Sequence, residues 1–236
     1  MMRPPRGSVV ALAAAALLAS AHGVHAHRAE PSLTWTQAFP VVAAAEHVHV
    51  DAHFQGSDGK LHRLQMWRNG TSFLHRQTDE ALDLYVSRAS DSSDYAYRLV
   101  DHRRRLAMDV RRNQLYRIGV FSDWFGLAHV LDRPKTAFTV RAIAVLPSER
   151  RADCAWRLLV RQDKGVFDES RICWSAAWGL PLAIRTRSPS GSWVERLTVD
   201  RVEAIATPAE APTLPEAPAG YASFDAGSEI DPKAGD

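Results

Sequence analysis

Four side chains with metal-binding chemistry recur at every second position: His47, His49, Asp51 and His53. Imidazole and carboxylate donors at i and i+2 share one face of an extended strand, and that donor set suits Zn or Cu. His62, Met66 and His75 follow on segments that read as the next two strands, so His47, His49 and His62 are the candidate ligands of a metal-handling protein. The same row is also the polar face of an amphipathic strand whose other face carries Val48, Val50, Ala52 and Phe54. Strand positions i and i+4 lie ~13 Å apart, so at most part of the row can close on one ion. A solvated strand face is the stronger reading, and no cofactor is expected.

Nucleophilic chemistry is poorly supplied. Ser122, Asp123 and His129 lie close in sequence, but Ser122 is in place to cap a helix. Asp168 and Glu169 sit beside a turn. GxSxG, HExxH, P-loop and GxGxxG patterns are all absent, which points away from an enzyme. Arg103, Arg104 and Arg105, with Arg111, Arg112 and Arg117 further on, form a basic cluster suited to anionic headgroups or an acidic protein partner. No nucleic-acid recognition motif accompanies it. Trp67, Trp124, Trp156, Trp174, Trp178 and Trp193 either fill a core or line an apolar cavity. On the cavity reading, the lining residues are Phe54, Trp67, Tyr97, Trp124, Leu127, Leu131, Trp156 and Trp174.

The elements that must carry these residues are mostly strands. Period-two alternation marks 48–54, 61–68, 71–78, 82–88, 95–101, 105–111, 136–146, 154–162, 169–176, 180–187 and 192–205. Asn69-Gly70 between two strand-like runs predicts a hairpin with a type I′ turn. Trp124, Leu127, Ala128 and Leu131 recur at helical spacing behind Ser122 and before Pro134, which predicts a helix over about 123–131. A short helix is predicted at 38–46, started or kinked by Pro40.

Residues 1–26 read as a cleavable export signal: Arg3 and Arg6, then an apolar run from Val9 to Ala19, then small residues at Ala21-His22-Gly23 or Val24-His25-Ala26. That run is shorter than the ~20 residues of a membrane helix. No later segment reads as a transmembrane span, and no Cys is there to carry a lipid anchor. The expected protein is therefore soluble and periplasmic. Without Arg3 and Arg6 the chain carries 27 basic and 27 acidic residues. Residues 207–236 hold six acids against Lys233, which leaves the body, 27–206, at about +5. That tail, with Pro208, Pro212, Pro215 and Pro218, has little to bury and is expected to be disordered. Cys154 and Cys173 lie on predicted hairpin strands turning at Asp163-Lys164-Gly165, where a register pairing 154 with 173 makes them face each other. An oxidising compartment then favours a disulfide.

Gly179-Leu180-Pro181-Leu182-Ala183-Ile184, then Gly191-Ser192-Trp193 through Val202-Glu203, resembles the last two strands of the LolA/LolB-like superfamily. The order of elements over about 38–206 is similar as well. The resemblance implies an α+β fold: a large, strongly curved antiparallel sheet, an incomplete β-barrel, with helices covering its concave face. It implies a lipid or lipoprotein acyl chain as ligand. It also admits an RseB/MucB-like regulatory module that meets an envelope protein, with the arginine cluster as the contact surface.

Overall fold

The computed structural model describes residues 31–41, 44–89, 94–111, 123–145, 147, 151, 153–163, 166–206 and 212–225. The expected export signal, Ser122, Arg112 and Arg117 lie outside these residues.

Twelve strands form one sheet: β1 His47–Gln55, β2 Leu61–Asn69, β3 Phe73–Thr78, β4 Leu82–Ser87, β5 Ala96–Asp101, β6 Leu106–Arg111, β7 Ala137–Ala142, β8 Ala155–Asp163, β9 Val166–Ser175, β10 Leu180–Arg187, β11 Trp193–Ala204 and β12 Ala222–Asp225. Their order in space is β12-β6-β5-β4-β3-β2-β1-β11-β10-β9-β8-β7. Antiparallel pairing holds throughout except at the edge, where β12 runs parallel to β6. The sheet is open, with β12 and β7 at its two ends.

The α+β expectation is corrected here. The described residues contain two helices, α1 Trp35–Ala38 and α2 Trp124–His129, of four and six residues. They are too short to form a layer, so helices do not cover the concave face. The helix predicted at 38–46 forms earlier, because Thr34 and Gln37 make a capping box and Pro40 stands just beyond the C-cap Phe39. At α2 the N-cap is Asp123, whose carboxylate accepts from Gly126 N at 2.7 Å. The helix ends at Val130, which adopts φ 55°. That left-handed turn ends the helical face before Leu131.

The sheet covers itself by curving. Leu99 of β5 and Ile184 of β10 line one cavity although six strand steps separate them. On a flat sheet that is about 29 Å. Curvature gathers Val48, Val50, Leu64, Met66, Leu74, Val86, Tyr97, Val110, Leu182, Leu197 and Val199 into one buried cluster with Leu127 of α2. A second cluster joins Trp35, Ala38 and Phe39 to Val140, Leu159, Ile172, Trp174 and Leu131. Helix α2 is thus a wedge between the two, with Leu127 on one side and Phe125 on the other, and Leu131 just beyond the helix joins the second cluster.

Two registers differ from expectation. Asn69 pairs with Phe73, so Gly70 (φ 58°) opens a three-residue loop and not a two-residue turn. Trp156 faces Cys173, because Asp163 pairs with Val166 and the connection is only residues 164–165. Cys154 therefore stands just before β8, offset from the facing position. It still lies at disulfide distance from Cys173, with Cα atoms 5.4 Å apart. The tail is also not all structureless. Residues 212–225 cross the outer face and end in β12, held where Arg98 donates to Pro215 O and where Ala222 N donates to Arg105 O at 2.9 Å.

Candidate functional site

Strand alternation sends Leu64 (β2), Leu82 and Leu84 (β4), Leu99 (β5), Ile184 (β10) and Leu197 (β11) to the concave side. There they enclose a cavity of about 360 Å³. Phe54 stands at the end of β1, and Val130 closes the wall from α2. Arg76, Thr78 and Arg196 supply the polar atoms, and no carboxylate among the described residues lines the space. Leu82, at the β4 end of the wall, is 36 % exposed.

Two arginines, Arg68 buried and Arg76 half-buried, fix α2 against the sheet. Arg68 of β2 is 3 % exposed and donates to Ala128 O (3.1 Å), Ala45 O (2.7 Å) and Trp178 O (2.9 Å). Arg76 of β3 donates to Gly126 O (3.3 Å) and to Leu127 O. Neither cation has a carboxylate in hydrogen-bond contact among the described residues. Backbone carbonyls solvate them instead: Gly126, Leu127 and Ala128 near the C-terminal end of α2, with Ala45 and Trp178 outside it. Burial lowers both guanidinium pKa values to about 10, so both stay charged at neutral pH. Arg76 Nε is buried with no hydrogen-bond partner among the described residues. Beside them, His129 Nδ1 donates to Gly179 O at 2.7 Å. Burial, with the Arg68 charge second, lowers the His129 pKa to about 4 and keeps the ring neutral. Gly179, at φ 60°, admits this approach, because a Cβ there would stand 2.8 Å from Ala44 Cβ.

Of the eight lining residues read from sequence, Phe54 alone lies among the residues that line this cavity. Tyr97 and Leu127 are buried in the first cluster, and Trp124 packs on it under Arg88, 4.5 Å from the ring centroid. Leu131 and Trp174 belong to the second cluster, where Trp174 Nε1 donates to Pro40 O at 3.0 Å. Trp156 packs on Cys173 and Ala183 on the opposite face of the sheet. Trp67 also faces outward, in a cross-strand stack His49–Trp67–His75–Tyr85 with centroid spacings of 4.8, 4.7 and 4.3 Å. The residues missed are the aliphatic wall, Val130, Arg76 and Arg196. Leu82 and Leu84 were visible as one face of a short strand; Arg76 and Arg196 had no such signal.

The candidate metal ligands are not brought together. His49 Nδ1 lies 3.3 Å from Glu203 Oε1. His62 pairs across the ladder with Phe54, five positions from His49's partner Trp67, and bonds Asp79 (2.6 Å) and Asp58 (3.1 Å). No group of three potential ligands converges among the described residues. A different polar network does form on the outer face. His75 Nε2 (3.0 Å), His102 Nε2 (2.6 Å) and Gln77 Nε2 (3.0 Å) all donate to Asp83. Burial raises the pKa of that carboxyl, but the three donors outweigh it and hold it at about 2. Tyr221 Oη meets His102 Nδ1 at 2.9 Å, so the network reaches the crossing tail. In the arginine cluster, Arg104 sits 3.7 Å from Asp101, and Arg105 lies over the Tyr221 ring at 5.7 Å. Arg103 is exposed, as is Arg111 at the end of β6. This chain's own tail therefore occupies part of the surface read as a partner site.

No helix among the described residues is long and apolar enough to cross a membrane. No family model matches the chain, and no curated protein matches it.

Proposed function

We propose that this chain is an exported, non-catalytic binding protein that lodges the apolar chain of an amphiphile, a lipid or acyl chain, in the β1–β5/β10–β11 cavity. The observation that carries this is the aliphatic cavity of about 360 Å³. Small-ligand pockets run ~300–1,000 Å³, apolar with a few placed polar groups. An apolar cavity of this kind gains nothing from water, and each methylene that enters contributes ~0.8 kcal/mol. The export part of the proposal rests on the charge–apolar–small pattern of residues 1–26, and a Cys154–Cys173 disulfide would suit an oxidising compartment. The ligand class is what this reading shares with LolA/LolB-like carriers; the helical cover is not.

The test is titration of the neutral probe N-phenyl-1-naphthylamine, which fluoresces in apolar sites. One saturable site is expected. Leu99→Trp, which places a ring in the cavity, is expected to abolish it while the thermal midpoint moves by only a few degrees. A wild-type protein that gives no saturable signal overturns the proposal.

A further inference from the structure

Strand β11 carries a bulge at the mouth of the cavity. Along the β10 ladder Ile184 pairs with Leu197 and Arg185 with Glu195, so Arg196 is the extra, unpaired residue. A bulge breaks the in–out alternation and re-aims a side chain. Here two consecutive residues, Arg196 and Leu197, both line the cavity. The guanidinium is fixed from two sides: Nε donates to Thr186 Oγ1 at 2.8 Å, and Nη1 donates to Gln55 Oε1. Nη2 has no hydrogen bond among the described residues, and the residue is exposed. The neighbouring acids are engaged elsewhere, Glu195 with Arg185 at 2.8 Å and Asp200 with His53 at 2.5 Å. Deeper in, Arg76 adds a second positive charge, offset in part by Asp132.

Resting on the proposed chain-binding reading, we infer that the cavity selects a single-chain amphiphile with an anionic headgroup, and that Arg196 is the headgroup anchor. An aliphatic wall with cations, and with no lining carboxylate among the described residues, attracts such a ligand and disfavours a cationic one. A guanidinium held by neutral partners keeps its charge available for an oxyanion, which it binds with charge-assisted hydrogen bonds. The volume fits one chain: 360 Å³ holds about a dozen water-sized groups at ~30 Å³ each.

Displacement of the neutral probe by dodecanoate, dodecyl phosphate, dodecan-1-ol and dodecylammonium tests this, each below its micelle concentration at pH 8. At least one of the two anions is expected to bind about tenfold more tightly than the alcohol, and the ammonium more weakly still. Their order distinguishes a carboxylate from a phosphate ligand. Arg196→Gln is expected to weaken the preferred anion about tenfold more than it weakens the alcohol, and Arg196→Lys to restore part of that difference. Equal binding of anions and alcohol, or equal loss of all ligands in Arg196→Gln, overturns the inference and leaves chain binding standing. Failure of the probe and every dodecyl compound to bind overturns both.

Discussion

The concave side of the sheet has two ends, both apolar and finished in opposite ways. At the β7–β9 end, rings interlock. Trp35 meets Phe39 (4.6 Å), Phe138 (5.7 Å) and Phe125 (5.9 Å), and Phe39 meets Trp174 (5.3 Å). At the β1–β5 end, the wall facing the cavity is mainly leucine and isoleucine, which do not reach across, and about 360 Å³ stays open. The difference is one of reach. Aromatic side chains bury large areas each and span the gap between facing strands, whereas aliphatic ones stop short where curvature holds the strands apart. Trp35 and Trp174 belong to the plug, and no tryptophan among the described residues lines the hollow.

Arg68 supports both ends, so its loss should do the greatest damage. Arg68→Met leaves the carbonyls of Ala45, Ala128 and Trp178 without their donor. Unpaired buried acceptors cost ~1–3 kcal/mol each, so losing the donor to all three is expected to destabilise by at least about 3 kcal/mol. Urea unfolding measures it. A loss under about 1 kcal/mol would mean that α2 is seated by its apolar contacts alone.

The two ends separate under truncation of the plug. Phe39 is fully buried at the filled end, and Phe39→Ala is expected to cost about 3–5 kcal/mol. Probe binding at the hollow end should persist unchanged in the folded fraction. A change in probe affinity comparable to Leu99→Trp would show that the two ends are not independent.

Most strands were legible because one face is buried along each of them: Val48, Val50 and Ala52 alternate with half-buried polar neighbours, and a one-residue slip would expose all three. Helix α2 was legible from its spacing, but its exit was not. Val130 is a β-branched residue at φ 55°, a conformation that no local pattern announces, and it sends Leu131 into the second cluster. Strand β12 is four residues long and pairs in parallel after a crossing tail, so it leaves no alternation to read. The hollow was not legible because it is made by what fails to meet across a curved sheet. Arg196 was hidden for a related reason: a bulge belongs to the pairing of two strands, and β11 alone reads as an uninterrupted run.

A pH series distinguishes the ends more gently. His129 sits at the junction, and its pKa is lowered from 6.5 to about 4 by burial and then by Arg68, with Asp123 opposing and Arg76 adding a smaller lowering. The unfolded chain therefore binds a proton between those values that the folded chain refuses. The contribution of His129 is full above pH 6.5 and is lost as pH drops toward 4, by about 3 kcal/mol in all. The Asp83 carboxyl adds its own loss only below pH 3.8, as pH falls toward 2. His129→Gln is expected to flatten the slope between pH 6.5 and 4 without altering the acid limb below it. An unchanged slope would assign the loss to another group.

The smallest expected change in stability comes from adding to the hollow instead of removing from the plug. Leu84 lines the cavity from β4 and is only partly buried, so Leu84→Phe has space on its own side of the wall. Extending a side chain into a packed core costs ~1–3 kcal/mol, whereas filling an existing cavity is neutral to favourable. A shift below about 1 kcal/mol is expected here. The same substitution at the filled end, Leu159→Phe beside Ile172 and Trp174, is expected to fall in the overpacking range. The ligand readout should move although stability does not: the added ring takes volume, so the longest n-alkyl chain that displaces the probe should shorten by a few carbons. If Leu84→Phe destabilises as much as Leu159→Phe and leaves the chain-length cutoff where it was, the β1–β5 end is packed like the other.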